Sequence, residues 1–254
     1  MALSVVQKSA PVNGTASSGY LNNSSSQAVT LGSTTTTGNM IVVAINVVAS
    51  SGTANPVSAP TDNKSNSYGS AIVTAIATGS GFASVSTIYC CPNITGGASH
   101  AVTANFTKGV YGAFQIFEIS GQATTTPQDQ TGTNTANVVS GNTSYAVSTS
   151  TLSQANEIAI AALLYNPGSN TGTNPGAPWN AGYFIQDSAG NTVNSGAVYQ
   201  IVSATTALTS TWTFANPGAT VQEVAACIAT FKATGGGGSA YVAGQSAMSF
   251  LGMQ

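Results

Sequence analysis

The sequence predicts an all-β protein: an antiparallel β-sandwich, jelly-roll-like or immunoglobulin-like, built from two internally repeated halves. Three observations carry this expectation. Apolar runs are short, rich in Val, Ile, Tyr and Phe, and separated by Gly, Asn, Pro and Ser/Thr clusters, which is the pattern of strands and turns. Helix start and stop signals are nearly absent. About ten such runs follow one another at the spacing of a sandwich or barrel.

Taken in order, the strands are expected at Met40–Ala49, Ala71–Thr78, Val85–Cys91, Ala101–Thr107 and Tyr111–Ser120, then at Tyr145–Ser150, Glu157–Tyr165, Val193–Val202, Leu208–Phe214 and Val221–Lys232. Alternation assigns faces. Leu208, Trp212 and Phe214 fall on one side of their strand and Thr209, Thr211 and Thr213 on the other, so this strand has one wet face. Met40–Ala49 and Glu157–Tyr165 are apolar on both faces, which places them centrally in a sheet covered on both sides or beneath a neighbouring subunit.

The halves resemble each other when laid side by side. TGNMIVVAI (37–45) matches QANEIAIAA (154–162), and this alignment sets Ile41 beside Ile158 and Val43 beside Ile160. IYCCPNITGGASHAVTANF (88–106) parallels VYQIVSATTALTSTWTF (198–214), and GAFQIFEISG (112–121) parallels AACIATFKAT (225–234). Between them TDNKSNSY (61–68) and QDSAGNTV (186–193) each supply an Asp/Asn-rich turn. The expected organisation is an N-terminal arm over 1–26, one sandwich over 27–233, and a Gly-rich linker with an apolar tail over 234–254.

Composition excludes several functions. The 254 residues hold 4 Lys+Arg, 6 Asp+Glu and 1 His, for a net charge of −2, and no arginine. A chain of this size exposes roughly 10,000 Å², about one charge per 1,000 Å², so solubility rests on hydroxyls and amides; Ser and Thr make up roughly a quarter of the residues. No track for phosphates can be assembled from Lys8, Lys64, Lys108 and Lys232, which argues against nucleic acid as a partner. No apolar run approaches the ~20 residues of a membrane-spanning helix, and the first residues lack the apolar core of a signal peptide, so neither membrane nor export is expected. Hydrophobic residues at 42% argue against disorder.

The chemistry-bearing residues are sparse. His100 is the sole histidine, there is no GxSxG elbow, and a strand-edge position is expected for it rather than a catalytic one. Cys90, Cys91 and Cys227 lack metal-ligand spacing and read as small core residues, the alternative being a bridge from Cys227 to one of the pair. Glu118 and Glu223 become neighbours only if the closing strands of the halves face each other; strand-end carboxylates on a polar surface are the simpler expectation. Asp62, Asn63 and Asn66, and likewise Asp187 and Asn191, supply oxygens of the kind calcium takes, but Asp and Asn are also ordinary turn residues. No catalytic residue, cofactor or metal is therefore expected.

Ligand or partner contact is expected elsewhere. Trp179, in a Pro/Gly loop with Tyr183 and Phe184 nearby, suits either a sugar-stacking platform or an anchor packed on the sandwich edge. Tyr241, Met248, Phe250 and Leu251, in an apolar peptide behind a Gly-rich linker, suit docking on another subunit.

The order of central strand, Asp-x-x-Gly/Ser-Asn turn, [VI]Y strand, Thr-rich strand and closing apolar strand, over most of Val29–Ala233, resembles β-sandwich modules of tailed-phage virion structural proteins and of bacterial surface proteins. The resemblance implies a non-enzymatic virion protein, such as a capsid-decoration, head-fibre or tail-associated subunit. Such a protein is made in the host cytoplasm, forms a homo-oligomer and contacts other virion subunits. The alternative it implies is an adhesin or carbohydrate-binding module at the cell surface with a glycan ligand.

Overall fold

The computed structural model describes residues 2–9, 21–79, 81–138, 144–166, 172–186, 193–214 and 222–235. They form strands and irregular connections. The first half contributes β1 (Ser4–Lys8), β2 (Leu21–Thr30), β3 (Met40–Ala49), β4 (Val57–Asp62), β5 (Val73–Ala77), β6 (Ser84–Cys91) and β7 (Ala101–Ser120). The second contributes β8 (Gln128–Val138), β9 (Ser144–Ser148), β10 (Glu157–Asn166), β11 (Gly172–Thr173), β12 (Asn180–Gln186), β13 (Asn194–Val202), β14 (Thr209–Phe214) and β15 (Gln222–Lys232).

All pairings are antiparallel. One sheet runs β1-β7-β3-β6-β5 and another β12-β13-β10-β15-β8, while β11-β14-β9 forms a third. β7 serves two layers. Its second part pairs with β1 and β3, from Val110 to Ser120, and its first part carries β2 on one edge and β4 on the other, both meeting Asn105. Gly112, at φ +137°, lies between them; a Cβ there would stand 2.2 Å from the Asn46 carbonyl oxygen, so only glycine lets β7 pass this close to β3.

These pairings make the strand order of the two halves the same. β1, β3, β5 and β6 with the end of β7 stand in the order of β8, β10, β12 and β13 with β15, and β2 and β4 flank the start of β7 as β9 and β11 flank β14. First strand pairs with last, second with the one before it: the nested pairing of a jelly roll. The innermost pair departs from it, because β5 and β12 add to the larger sheets beside β6 and β13 instead of pairing with β4 and β11.

Three cores follow from the alternation of β3 and β10. Ile41, Val43, Ile45 and Val47 point outward to Leu21, Val57, Val102 and Phe106 under β2 and β4. Ala159, Ala161, Leu163 and Tyr165 point the other way, to Tyr145, Val147, Trp212 and Phe214. Between the two large sheets Met40, Val42 and Ala44 meet Ile158, Ile160 and Ala162, with Phe117, Phe231 and Cys227. Every residue of β3 is buried, as is β10 up to Tyr165. The expectation of a strand covered on both faces holds, and the cover is the chain itself.

The β-sandwich expected from the sequence is present as a stack of four layers in which each half has its own core. Two expectations change. Ile41 and Ile158 lie in corresponding strands but face different cores; Met40 is the residue that shares the facing of Ile158, and a one-residue slip reverses every side chain of a strand. The turn 61–68 begins within β4, which ends at Asp62, whereas residues 187–192, with Asp187 and Asn191, lie outside the described residues. The stretch expected as an arm over 1–26 contains β1 and the start of β2, both paired with β7. Gly236 onward lies outside the described residues.

Candidate functional site

His100, expected at a partly exposed strand edge, is fully buried and joins three connections. Its Nε2 lies 2.9 Å from Asp62 Oδ2 and its Nδ1 2.8 Å from Thr35 Oγ1. An Nε2–H aimed at the carboxylate leaves Nδ1 to accept the Thr35 hydroxyl proton. The same Asp62 accepts from the Lys64 and Asn66 backbone N–H at 2.9 and 3.0 Å, from Asn66 Nδ2 at 2.8 Å and from the Tyr68 hydroxyl at 3.2 Å. Burial raises the Asp62 pKa, but these bonds from Asn66, His100 and Lys64 outweigh it and hold the carboxyl below its usual range. Burial and the Asp62 charge in turn push the Tyr68 hydroxyl up.

Thr, His and Asp thus stand in the order of a nucleophile, base and orienting acid. The chain is closed, however. Thr35 is buried at 3% exposure, its hydroxyl also accepts the Gly97 N–H at 3.1 Å, and the His100 and Asp62 side chains have no exposed surface. The cluster ties the connection after β2 to those after β4 and β6. Asp62 has no lone pair left for calcium.

Glu118 and Glu223 are buried rather than on a polar surface. Glu118 accepts Gln7 Nε2 at 2.6 Å, the Thr36 N–H at 2.8 Å and Asn39 Nδ2 at 2.6 Å, three donors from β1 and the connection into β3. Glu223 accepts the Ser84 hydroxyl at 2.7 Å across the central interface. They sit at opposite ends of their strands, the Glu118 carboxyl near β1 and Glu223 beside Asn166, so they form no catalytic pair.

The carboxyls that do meet are Asp129 and Glu157. A bulge in β8 opposite Thr230 puts Asp129 there. Sequence reading missed the pair, since Asp129 lies in a polar stretch with no strand signal.

A polar seam crosses the central interface. Asn46 Nδ2 donates to the Tyr183 hydroxyl at 2.8 Å and to the Gly196 carbonyl at 3.0 Å, and its Oδ1 accepts the Ser86 hydroxyl at 2.7 Å. Tyr183 also bonds Ser195 at 2.8 Å, and Ser86 lies 3.1 Å from Cys227 Sγ. Burial pushes Tyr183 and the Cys227 thiol each up to about 12. Cys90, Cys91 and Cys227 are free, buried thiols, protonated at neutral pH and unsuited to attack.

Of the expected contact residues, Trp179 is an anchor: 9% exposed, its indole N–H donates to the Thr209 carbonyl at 3.0 Å. Tyr183 is buried in the seam, and Phe184 packs partly buried against the outer core of the second half. No aromatic platform is formed by these three. Tyr241, Met248, Phe250 and Leu251 lie outside the described residues.

Two clefts open at one end of the molecule. One, of about 290 Å³, is lined by Leu3, Asn156, Ile201 and Thr234; the other, of about 440 Å³, by Val6, Thr37, Gly38, Gln122 and Thr234. Val6 at 48% and Ile201 at 47% exposure are the two most exposed large apolar residues among those described. The rest of the lining is Ala2, Leu3 and Ala233 with amides, hydroxyls and backbone, and it holds no charged side chain.

Comparison with protein-family models, with curated proteins and with solved structures finds no match.

Proposed function

We propose that this protein is a non-enzymatic structural subunit of a virion, a capsid-decoration, head-fibre or tail-associated protein of a tailed phage that works as a homo-oligomer. One observation carries the reading most: the polar constellations at His100, Glu118 and Asn46 are each closed by protein donors and acceptors, while unpartnered apolar side chains are left at the cleft end with Val6 and Ile201. A rigid stack with inert interior groups and an almost uncharged exterior suits packing against like subunits, where few charges need be desolvated. Nested pairing of the jelly-roll kind is used by viral capsid proteins, which supports the reading by analogy of fold. The glycan-binding alternative would draw on Trp179 and Tyr183, and both are buried.

Native mass spectrometry with light scattering tests the proposal. A defined homo-oligomer, and co-sedimentation with capsids or tails that is lost when 236–254 are deleted, is the expected result. A monomer at all concentrations that binds glycans and no particle would replace this reading with the adhesin.

A further inference from the structure

We propose that Asp129 and Glu157 share a single proton and form a pH-operated latch, which fastens the connection 149–156 and the start of β8 onto β10. Glu157 is the first residue of β10, fully buried, on the outer face with Ala159. Neither of its carboxyl oxygens has a hydrogen-bond donor in good geometry. The Thr230 hydroxyl and the Gln154 N–H approach Glu157 and oppose the rise in its pKa, but Thr230 Oγ1 is engaged with Gln130, accepting its N–H at 3.0 Å and donating to its carbonyl at 3.5 Å. What meets Glu157 is the carboxyl of Asp129, itself fixed by the Ser153 N–H at 2.7 Å, the Ser153 hydroxyl at 2.5 Å and Gln130 Nε2 at 3.4 Å. Two acceptors in contact repel unless one carries a proton.

Corresponding strands show what is unusual. In the first half the edge strand β1 offers Gln7, an amide, to the buried Glu118, which accepts three donors. In the second half the edge strand β8 offers Asp129, an acceptor, to the buried Glu157. The other charged group facing the site is Lys232 of β15, opposite Glu157 in register; no ion pair within 4.0 Å joins them, and among the described residues the one such pair is His100 with Asp62.

The proton sits on Glu157. Burial and the Asp129 charge push its pKa up to about 7, while the Ser153 bonds hold Asp129 below its usual value against the opposing effect of burial. Protonated Glu157 donates to the Asp129 carboxylate, and Asp129 holds Ser153. When pH rises the proton leaves to solvent, the buried Glu157 carboxylate faces the half-buried one of Asp129, and the Ser153 connection is released. The stabilisation is complete below the ordinary glutamate value of 4.5 and is lost as pH rises through about 7.

Glutamate appears only at 118, 157 and 223, so carboxyl ¹³C labelling of Glu in the full chain gives three signals. One signal is expected to titrate near neutral pH and to vanish in Glu157→Gln, and the melting temperature of wild type is expected to fall between pH 5.5 and 8.5 while that of the variant stays level. In Asp129→Asn, whose amide supplies the missing donor, the same titration shifts toward acid by a unit or more. The proposal is overturned if all three signals titrate below pH 5, if the near-neutral signal survives in Glu157→Gln, or if it is unmoved in Asp129→Asn.

Discussion

Asn46 on β3 and Tyr183 on β12 join the two halves through one hydrogen bond of 2.8 Å between buried side chains. Asn46→Ala takes one partner from each of the Tyr183 hydroxyl, the Gly196 carbonyl and the Ser86 hydroxyl, leaving Tyr183 with Ser195 and Ser86 with Cys227. Each such buried group costs about 1–3 kcal/mol, so urea unfolding is expected to be easier by about 3 kcal/mol or more. Tyr183→Phe removes one hydroxyl and should cost about 1–2 kcal/mol. Equal, small effects of both substitutions would show that the seam does not hold the sheets in register.

Asp62 predicts the acid limb of stability. Its carboxyl is held below the usual 3.8 in the folded state, so its contribution is present above that value and is lost as pH falls through the lower, folded one. Denaturation midpoints between pH 5 and 2.5 should fall more steeply in wild type than in Asp62→Asn. His100→Ala removes a buried donor to Asp62 and an acceptor of the Thr35 hydroxyl and is expected to cost about 1–3 kcal/mol for each group left unpaired.

Gly112→Ala tests the double use of β7. The added carbon meets the Asn46 carbonyl at 2.2 Å and the backbone conformation is one that L side chains rarely adopt. A loss of about 2 kcal/mol or more is expected by circular dichroism melts; Gly176→Ala, with open space around its Cβ position, should be nearly neutral. Equal melting of the two variants would mean that β7 passes β3 with room to spare.

Salt should matter little. With 4 basic and 6 acidic side chains in the chain and no Lys–carboxylate pair within 4.0 Å among the described residues, screening has few interactions to act on. A melting temperature that moves by less than about 3 °C between low and 1 M NaCl is the expected outcome.

The cleft end should govern association. Val6→Ser and Ile201→Ser change exposed side chains and are expected to leave the melting temperature within about 2 °C. Oligomer dissociation, followed by light scattering, should become at least several-fold easier. Unaltered association in the double variant would place the subunit contact elsewhere.

The sequence made the buried strands legible and the edges illegible. Met40–Ala49 and Glu157–Tyr165 announce two covered faces through unbroken apolar runs, and Trp212 announces its core through alternation. β2, with LNNSSSQAVT, and β8, with QDQTGTNTANV, carry no such signal, because an edge strand over a sandwich buries little and is held mainly by backbone bonds to β7 or β15. Ala101–Thr107 and Tyr111–Ser120 read as two strands because Lys108 and Gly109 interrupt the pattern, yet Gly109 and Gly112 are what let one strand serve both layers. The polar clusters were hidden for a different reason. Thr35, Asp62 and His100 are ordinary turn and strand residues singly, and only the convergence of three connections buries them together.

The pairing of Ser4 with Ser120 sets a timetable for synthesis. The first sandwich cannot close its sheet until residue 120 has left the ribosome, whereas the inner face it then presents, with Met40, Val42, Ile88 and Phe117, receives its cover only from strands ending at Lys232. At about 5–20 residues per second that interval lasts roughly 5–25 s. A finished half-molecule therefore waits on the ribosome with an oily face bare and almost no charge to keep neighbouring nascent chains apart. Crowded polysomes are the setting in which this chain is most exposed to misassembly, and slowing translation after residue 120 lengthens the exposure.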